Sequence, residues 1–293
     1  MLSLALPVLG FGGCALDADR DHVGDKAPSS GALPRRPRVA WVLSSGGPRG
    51  FVHVGVLMAL QELGVVPDLI VGASAGAVLG VLRAAGLSGA ELESLALGLQ
   101  PLKLARLAGW GRDNGERFSG SAVADLVRDE LQSRGLSGRL ETLPLMAVCV
   151  AQRVNDKAVV GFTHGDAGLA VQASTAIPGQ FVPLRIRGQL HADADAVQPL
   201  PVRLARQLGA TRVLAVDASA HEDRAPEGAA GYRAGDLRKR ALTRPDAELA
   251  DVLLHPDFGY WVSLSQEFRE RAIRAGYRDT MAATARIKAL HAP

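Results

Sequence analysis

The sequence has few of the residues that mark several classes of protein. Its 293 residues include two cysteines, and aromatic residues make up 4% of the chain. Two cysteines exclude both a disulfide framework and a four-cysteine metal site, and a chain of this length can bury a core without either. The net charge is only +3, and the arginines are dispersed along the chain. Nucleic-acid binding is therefore not expected.

The amino-terminal segment, residues 1–13, carries no charge and ends at Cys14. It is too short to span a bilayer, but it is typical of the apolar region of a secretory signal. The segment Phe11–Cys14 resembles the bacterial lipobox, in which the cysteine is lipidated. We therefore expect a signal peptide over 1–13, a flexible linker over 14–37, and a lipoprotein on the periplasmic face of the envelope. A cytoplasmic protein with an apolar amino terminus is the alternative.

Apolar runs alternate with helical patterns in the first part of the folded region. The run at 38–43 ends in a glycine-rich turn, 51–63 has helical spacing, and the run at 69–71 leads into an apolar helix at 75–85. This order predicts an α/β fold with a parallel sheet. Further strands are expected at 145–152, 158–162, 182–187, 189–192 and 212–216, and further helices at 92–107, 121–134 and 264–290. Residues 221–250 are charged and weakly patterned, which predicts an exposed loop.

The segment Gly72-Ala73-Ser74-Ala75-Gly76 has the G-x-S-x-G pattern of a nucleophile elbow. A predicted strand enters it and a predicted helix leaves it, so that the Ser74 hydroxyl stands on a sharp turn. Gly72 and Gly76 permit the tight backbone, and the helix amino terminus favours negative charge beside the serine. Ser74 is therefore the candidate nucleophile.

A second glycine-rich turn follows the first predicted strand and opens the first helix. It consists of Gly46, Gly47, Pro48, Arg49 and Gly50. Free backbone N–H groups gather at such a position, and acyl transfer requires N–H donors for the oxyanion. A dinucleotide site is a poor alternative, because Ser45 stands at the first glycine position and Asp68 precedes the second strand instead of following it.

Together these motifs resemble the patatin-like phospholipase family, in its bacterial neuropathy-target-esterase-like branch. Segments 44–50 and 72–76 correspond to the oxyanion turn and the elbow of that family. Segments 173–179 and 191–202 are similar to its A-S-x-x-[IF]-P and D-G-x-x-x-N-P-x-P blocks. The resemblance implies a three-layer α/β/α domain with a mainly parallel central sheet, here over 38–293, with a helical carboxyl-terminal segment.

The resemblance also implies a catalytic dyad of Ser74 with Asp193, which lies six residues before Pro199 as the dyad aspartate of the family does. Two departures from the family pattern stand close to these residues. Ala194 and Asp195 replace a small Gly-[AG] pair, and Ser45 replaces the first glycine of the turn. Asp195 is the alternative base if the alignment is displaced by two residues.

The implied function is hydrolysis of lipid carboxyl esters, of phospholipids or lysophospholipids, without a metal or any other cofactor. One alternative is a patatin-fold lipoprotein that binds lipid or a protein partner. Another is an α/β-hydrolase in which Asp217 and His255 complete a triad with Ser74. With a carboxylate base, we expect the acid limb of kcat/KM below about pH 6. The apolar stretch 95–110 is interpreted as a core helix, with an acyl pocket as the alternative.

Lipidation of Cys14 predicts that the Cys14→Ser variant moves from the membrane fraction to the soluble fraction, because it cannot be acylated. Fractionation of cells that produce the parent and the variant measures this shift. An unchanged distribution would favour the cytoplasmic interpretation.

Overall fold

The computed structural model describes residues 20–100 and 118–292, and these form a helix-covered sheet. The segment predicted to be a signal peptide, 1–13, and Cys14 lie outside the described residues. The sheet runs in the order β5-β6-β3-β2-β1-β7-β8, and β4 pairs with β3. Its strands are β1 (Val39–Leu43), β2 (Leu69–Ala73), β3 (Met146–Arg153), β4 (Val159–Phe162), β5 (Leu184–Ile186), β6 (Gln189–Asp193), β7 (Arg212–Val216) and β8 (Val252–Leu254).

Helices cover both faces of this sheet. They are α1 (Val52–Glu62), α2 (Ala75–Ala84), α3 (Gly89–Gly98), α4 (Ser121–Ser133), α5 (Ala167–Ser174), α6 (Val202–Gln207), α7 (Arg233–Ala247), α8 (Gln266–Ala282) and α9 (Thr284–His291). Among these described helices, none is both long and apolar enough to cross a bilayer.

Alternate residues of β1 separate the core into two layers, as the two-residue period of a strand requires. Trp41 and Leu43 pack into one apolar cluster with side chains of α1 and α2. Ala40 and Val42 pack into a second cluster, which includes side chains of α6. The strands β1, β2, β7, β8 and the first part of β3 are parallel. The predicted three-layer α/β/α fold with a mainly parallel sheet is thus confirmed.

One edge of β3 changes its partner half-way along the strand. Up to Val150 this edge pairs with β2 in parallel, and from Ala151 it pairs with β6 in antiparallel register. The opposite edge of β3 pairs with β4 throughout this region. The last residue of β2, Ala73, is therefore followed along the same edge by Asp193, the last residue of β6.

Helices α1 and α8 are in backbone contact because each has a glycine at the crossing. A Cβ atom at Gly55 would lie 1.8 Å from the Ile273 carbonyl oxygen, and one at Gly276 would lie 2.1 Å from the Val52 carbonyl oxygen. No larger residue fits at either position. The close approach packs α8 onto α1, immediately after the glycine-rich turn.

The chain differs from the sequence-based expectations in its polar segments. The loop expected over 221–250 contains helix α7, and the helix expected over 264–290 is two helices that divide at Ala283. Helix α7 has no apolar stripe, and tertiary hydrogen bonds hold it instead. The buried carboxylate of Asp246 accepts hydrogen bonds from Gln198 Nε2 at 2.9 Å and from the N–H of Arg203 at 2.7 Å. The helix expected over 92–107 is described only as α3.

Residues 20–37 pack on the domain, in contrast to the flexible linker expected over 14–37. The His22 N–H donates to the Arg185 carbonyl at 3.0 Å, and the Ser29 N–H donates to the His164 carbonyl at 3.1 Å. The Ala27 side chain is 2% exposed. Composition cannot reveal this packing, because it depends on backbone groups of β5 and of the segment after β4 that would otherwise lack partners.

Candidate active site

Ser74 occupies a strained turn between β2 and α2. Its φ of 53° and ψ of −121° lie outside the regions that serine normally adopts. The two flanking glycines make the turn possible. A Cβ atom at Gly72 would lie 2.3 Å from the Gly76 carbonyl oxygen, and one at Gly76 would lie 2.2 Å from the Leu43 carbonyl oxygen. The elbow therefore lies against the end of β1, with the Ser74 side chain at the start of α2.

A buried side chain holds the strained backbone in place. The Ser74 N–H donates to the Ser174 hydroxyl at 2.9 Å, and that hydroxyl donates to the Val150 carbonyl at 2.6 Å. Ser174 is fully buried. It belongs to the 173–179 segment, which matches a motif of the family but for which the sequence predicted no function. Ser174 thus links the elbow to β3 and satisfies an N–H group that the turn leaves without a helix partner.

Asp193 lies near Ser74, at the point along β3 where pairing with β2 ends and pairing with β6 begins. Its side chain is 1% exposed and lines the same cavity as Ser74, and its Oδ1 accepts from the Asp195 N–H at 2.9 Å. Its own N–H donates to the Ala176 carbonyl at 2.9 Å. The two residues that the sequence pairs as a dyad are therefore adjacent in the structure.

Burial raises the pKa of Asp193 to about 7, and the negative charge of Asp195 adds to this rise. The hydrogen bond from Ser74 and the positive charge of Lys239 oppose it. This rise exceeds the one assumed in the expectation of an acid limb below pH 6. The acid limb is therefore expected near pH 7 instead of below pH 6, because a fully buried carboxyl experiences more desolvation than that expectation allowed for.

Asp195 is bound to different partners. It forms an ion pair with Lys239 of α7 and accepts a hydrogen bond from the Ser45 hydroxyl. The Lys239 ammonium also donates to Ser45 Oγ at 2.6 Å. Burial raises the pKa of Asp195, but the charge and hydrogen bond of Lys239 outweigh this effect, and the net pKa is below its ordinary value. Asp195 is therefore a paired carboxylate.

The replacement of the family glycine by Ala194 causes no backbone strain. Ala194 lies in a short 3-10 turn, Ala194–Ala196, and is absent from the described residues with positive φ. The other two departing positions, Ser45 and Asp195, contact each other. Neither departure displaces Asp193 from Ser74.

The glycine-rich turn lies beside the elbow. Gly47 has a φ of 51°, in the left-handed region that favours glycine. A Cβ atom at Gly50 would lie 2.4 Å from the Cβ of Ala75, so the turn packs directly against the residue after Ser74. Pro48 has no N–H, and the Arg49 N–H donates to the Gly46 carbonyl at 3.0 Å.

Two backbone donors of this turn are available to a ligand. No described residue accepts a hydrogen bond from the N–H of Gly46 or of Gly47. Both glycines line the same cavity as Ser74 and Asp193. Of the five residues predicted for an oxyanion hole, Gly46 and Gly47 are therefore the ones placed to donate.

Two cavities meet at Gly47. The first, of about 460 Å³, has polar and charged side chains in its lining, including Ser74, Asp193, Asp195, Arg49 and Lys239, and we name it the polar cavity. The second, of about 200 Å³, has an almost entirely apolar lining from α2, α3 and α4 and reaches Ala75. Its lining includes Val78, Leu79, Leu82, Leu92, Leu95, Leu99, Val123 and Leu126. Leu95 and Leu99 thus line a cavity, whereas residues 101–110 lie outside the described part.

The alternative triad is not assembled. His255 Nε2 lies 3.0 Å from the Ser219 carbonyl oxygen, and its ring stacks on His221 at a centroid distance of 3.8 Å. No described histidine is hydrogen-bonded to Ser74.

The other cysteine, Cys149, is buried in β3, where burial raises the pKa of its thiol and keeps it protonated.

Sequence reasoning missed two residues of this site. Lys239 lies on a helix that has no apolar pattern, and no motif marks it. Ser174 lies in a recognised segment, but its hydrogen bond to Ser74 depends on the packing of α5 against β3. Only the tertiary structure reveals either contact.

Comparisons with known proteins agree with the fold and the motifs. The family model of patatin-like phospholipases matches residues 41–206. An uncharacterized NTE family protein of Mycobacterium bovis is 34% identical over 186 residues, which cover 64% of this chain and 50% of that protein. Patatin-like phospholipase domain-containing protein 6 of Homo sapiens is 30% identical over 196 residues, 63% of this chain and 14% of that protein. The chain spans about half the length of the mycobacterial relative.

Among solved structures, VipD from Legionella pneumophila matches with a TM-score of 0.57 and 16% identity, over 87% of this chain and 67% of that one. This likeness concerns the fold alone. The family model, in contrast, covers more than half of the chain and includes the elbow, the glycine-rich turn and Asp193. The chain therefore belongs to the patatin-like phospholipase family.

Proposed function

We propose that the protein is a serine hydrolase that cleaves carboxyl esters of phospholipids or lysophospholipids. The observation that carries this proposal is the placement of Ser74, on a strained elbow, and the buried Asp193 in one cavity. Membership of the family supports the same chemistry. The proposal includes an envelope location with Cys14 as the lipid anchor, and neither a metal nor a cofactor takes part.

The acylation step begins when Ser74 Oγ attacks the ester carbonyl carbon and transfers its proton to Asp193. A base with a pKa of about 7 is well matched to this task at neutral pH. The carbonyl oxygen becomes an oxyanion, which the N–H groups of Gly46 and Gly47 stabilise. The C–O bond to the alcohol then breaks, and the leaving alcohol takes the proton from Asp193.

The deacylation step repeats this sequence with water in place of the serine hydroxyl. Asp193 accepts a proton from the water molecule, which attacks the acyl-enzyme. The second tetrahedral intermediate collapses, Ser74 Oγ leaves and recovers its proton from Asp193, and the free fatty acid departs. One ester and one water are thus converted into one alcohol and one acid.

The two cavities support a lipid substrate. The apolar cavity begins beside Ala75, next to the nucleophile, and offers an acyl chain an almost entirely apolar environment. The polar cavity has two cationic side chains in its lining, Arg49 and Lys239. The Nε of Arg49 is buried and has no hydrogen-bond partner among the described residues. A phosphate head group provides the negative charge and the acceptor oxygens that such a lining favours.

A fluorophosphonate probe tests the nucleophile directly. We expect the probe to label Ser74 and the Ser74→Ala variant to lose labelling. Ser219→Ala is the matched control, because Ser219 is a buried serine that lines the same cavity, and it should be labelled like the parent. Mass spectrometry of the labelled peptide identifies the residue, and modification of another serine would refute the assignment. A chain that is neither labelled nor active on short esters would be a binding protein.

Replacing the base should separate activity from stability. We expect Asp193→Asn to lower kcat by about 10³-fold or more, because the proton acceptor is lost. The raised pKa means that the folded chain holds a proton between about pH 4 and 7 that the unfolded chain releases, so stability falls as pH rises through this range. Asparagine has no such proton to lose. The difference in Tm between the Asp193→Asn variant and the parent should therefore shift in favour of the variant from pH 5 to pH 8, as measured by calorimetry.

A loss of activity together with a Tm that is lower than that of the parent by the same amount at every pH would indicate misfolding instead. It would leave the role of Asp193 without support.

The charges around the base predict opposite shifts of the pH profile. Asp195→Asn removes a negative charge that raises the pKa of Asp193, so the acid limb of kcat/KM should move to lower pH. Lys239→Gln removes a positive charge that lowers this pKa, so the limb should move to higher pH. Asp257→Asn, which removes a carboxylate paired with Arg224 outside the polar cavity, is the control and should leave the limb unchanged. Shifts in the same direction for both variants would contradict the assignment of Asp193 as the base.

A further inference from the structure

Two exposed aromatic side chains stand beside the polar cavity. Tyr232 is 63% exposed and Trp261 is 51% exposed, and their rings meet edge to face at a centroid distance of 5.9 Å. Trp261 also contacts Tyr260 at 5.3 Å. The Tyr260 hydroxyl donates to Asp236, which lines the polar cavity. The aromatic pair is therefore connected to the cavity of Ser74 through two side chains.

Helix α7 carries an excess of positive charge at the same place. It contains five basic and two acidic residues. Three of the basic residues are paired, Lys239 with Asp195, Arg240 with Glu222 and Arg244 with Glu248. Arg233 and Arg238 have no ion-pair partner among the described residues, and both are exposed.

An exposed leucine lies between these two arginines. Leu237, 50% exposed, is one helical turn after Arg233 and directly precedes Arg238. Gly235 and Asp236 of the same helix line the polar cavity. We name the set Tyr232, Arg233, Leu237, Arg238 and Trp261 the mouth surface.

Apolar, aromatic and unpaired cationic side chains in one place match the chemistry of an anionic lipid surface. Tryptophan and tyrosine rings favour the boundary between head groups and acyl chains, and exposed arginines are attracted to anionic lipids. A lipid ester must leave its bilayer to reach Ser74, and the mouth surface adjoins the cavity that it would enter. It lies outside residues 41–206, which match the family model.

We propose that the mouth surface docks the protein onto bilayers that contain anionic phospholipids, with the polar cavity facing the membrane. This inference rests on the proposed function for the substrate that enters the cavity. The docking itself depends only on the composition of the surface, and it can be measured without catalysis.

Flotation of the full chain with lipid vesicles tests the docking. The Cys14→Ser and Ser74→Ala substitutions form the background, so that neither an acyl anchor nor hydrolysis contributes. Vesicles of phosphatidylcholine alone are compared with vesicles that also contain phosphatidylglycerol. Two double variants are compared with the background, Tyr232→Ser with Trp261→Ser and Arg233→Gln with Arg238→Gln.

The matched control is the double variant Val66→Ser with Arg286→Gln. Val66 is exposed and precedes β2, at the end of the strand remote from Ser74. Arg286 is exposed on α9, whose last turn binds Arg212 at the start of β7. The control therefore removes one apolar and one basic side chain at the amino-terminal ends of the parallel strands, whereas Ser74 lies at their carboxyl-terminal ends.

We expect the arginine variant to bind vesicles with phosphatidylglycerol about 25-fold more weakly, or about fivefold for each arginine, and to bind pure phosphatidylcholine unchanged. The aromatic variant should bind both kinds of vesicle more weakly. The control should bind like the background. With Ser74 restored, all three double variants should hydrolyse a short soluble ester at the parental rate, because none of these residues touches the reacting atoms.

Variants that float like the control would overturn the proposal. So would a concentration-dependent dimer that the aromatic variant abolishes, because the mouth surface would then bind a second copy of the chain. Flotation as expected in a protein that does not hydrolyse esters would refute the proposed function and leave the docking intact.

Discussion

The change of partner along one edge of β3 is the constraint on which the candidate site depends. A parallel strand and an antiparallel strand share this edge, and they meet between Val150 and Ala151. Because both strands end at that junction, a serine that follows β2 and an aspartate that ends β6 are brought side by side. Ser174 strengthens the junction, since its hydroxyl bonds to the Val150 carbonyl on one side and receives the Ser74 N–H on the other.

The same junction explains why the base has an unusual pKa. A carboxyl group between two strand ends has almost no access to water, and an ionised carboxylate is costly in such a place. The surrounding charges adjust this cost. Asp195 increases it and Lys239 reduces it, so the two members of this ion pair have opposite effects on the base. Ser45 belongs to this network, so two of the three positions that depart from the family motif, Ser45 and Asp195, act as one unit with a lysine from a distant helix.

Local patterns predicted the parts of the structure that depend on apolar periodicity and on tight turns. The strands at 38–43 and 69–71, the helix at 75–85 and the elbow at Ser74 follow from such patterns, and the structure has them close to the expected bounds. Sequence periodicity alone predicts a parallel sheet with helices. The three-layer α/β/α arrangement was predicted from the family resemblance.

The remaining features depend on long-range contacts between polar groups. Helix α7 has no apolar stripe, and its position relies on the buried Asp246 and its hydrogen bonds. The contribution of Lys239 to the site follows from that position, so no local pattern reveals it. The pKa of Asp193 was underestimated for a related reason, because burial in the junction is a property of the assembled sheet and not of the Asp193 segment.

The packing of residues 20–37 also limits how far the domain can stand from a membrane. If Cys14 carries a lipid as proposed, His22, whose backbone is bonded to β5, follows it by only eight positions. Even fully extended, eight residues reach about 26–29 Å, which is less than the thickness of a bilayer with its head groups. The anchor would therefore be a short tether that keeps the domain next to the lipid surface and restricts its orientation relative to the membrane.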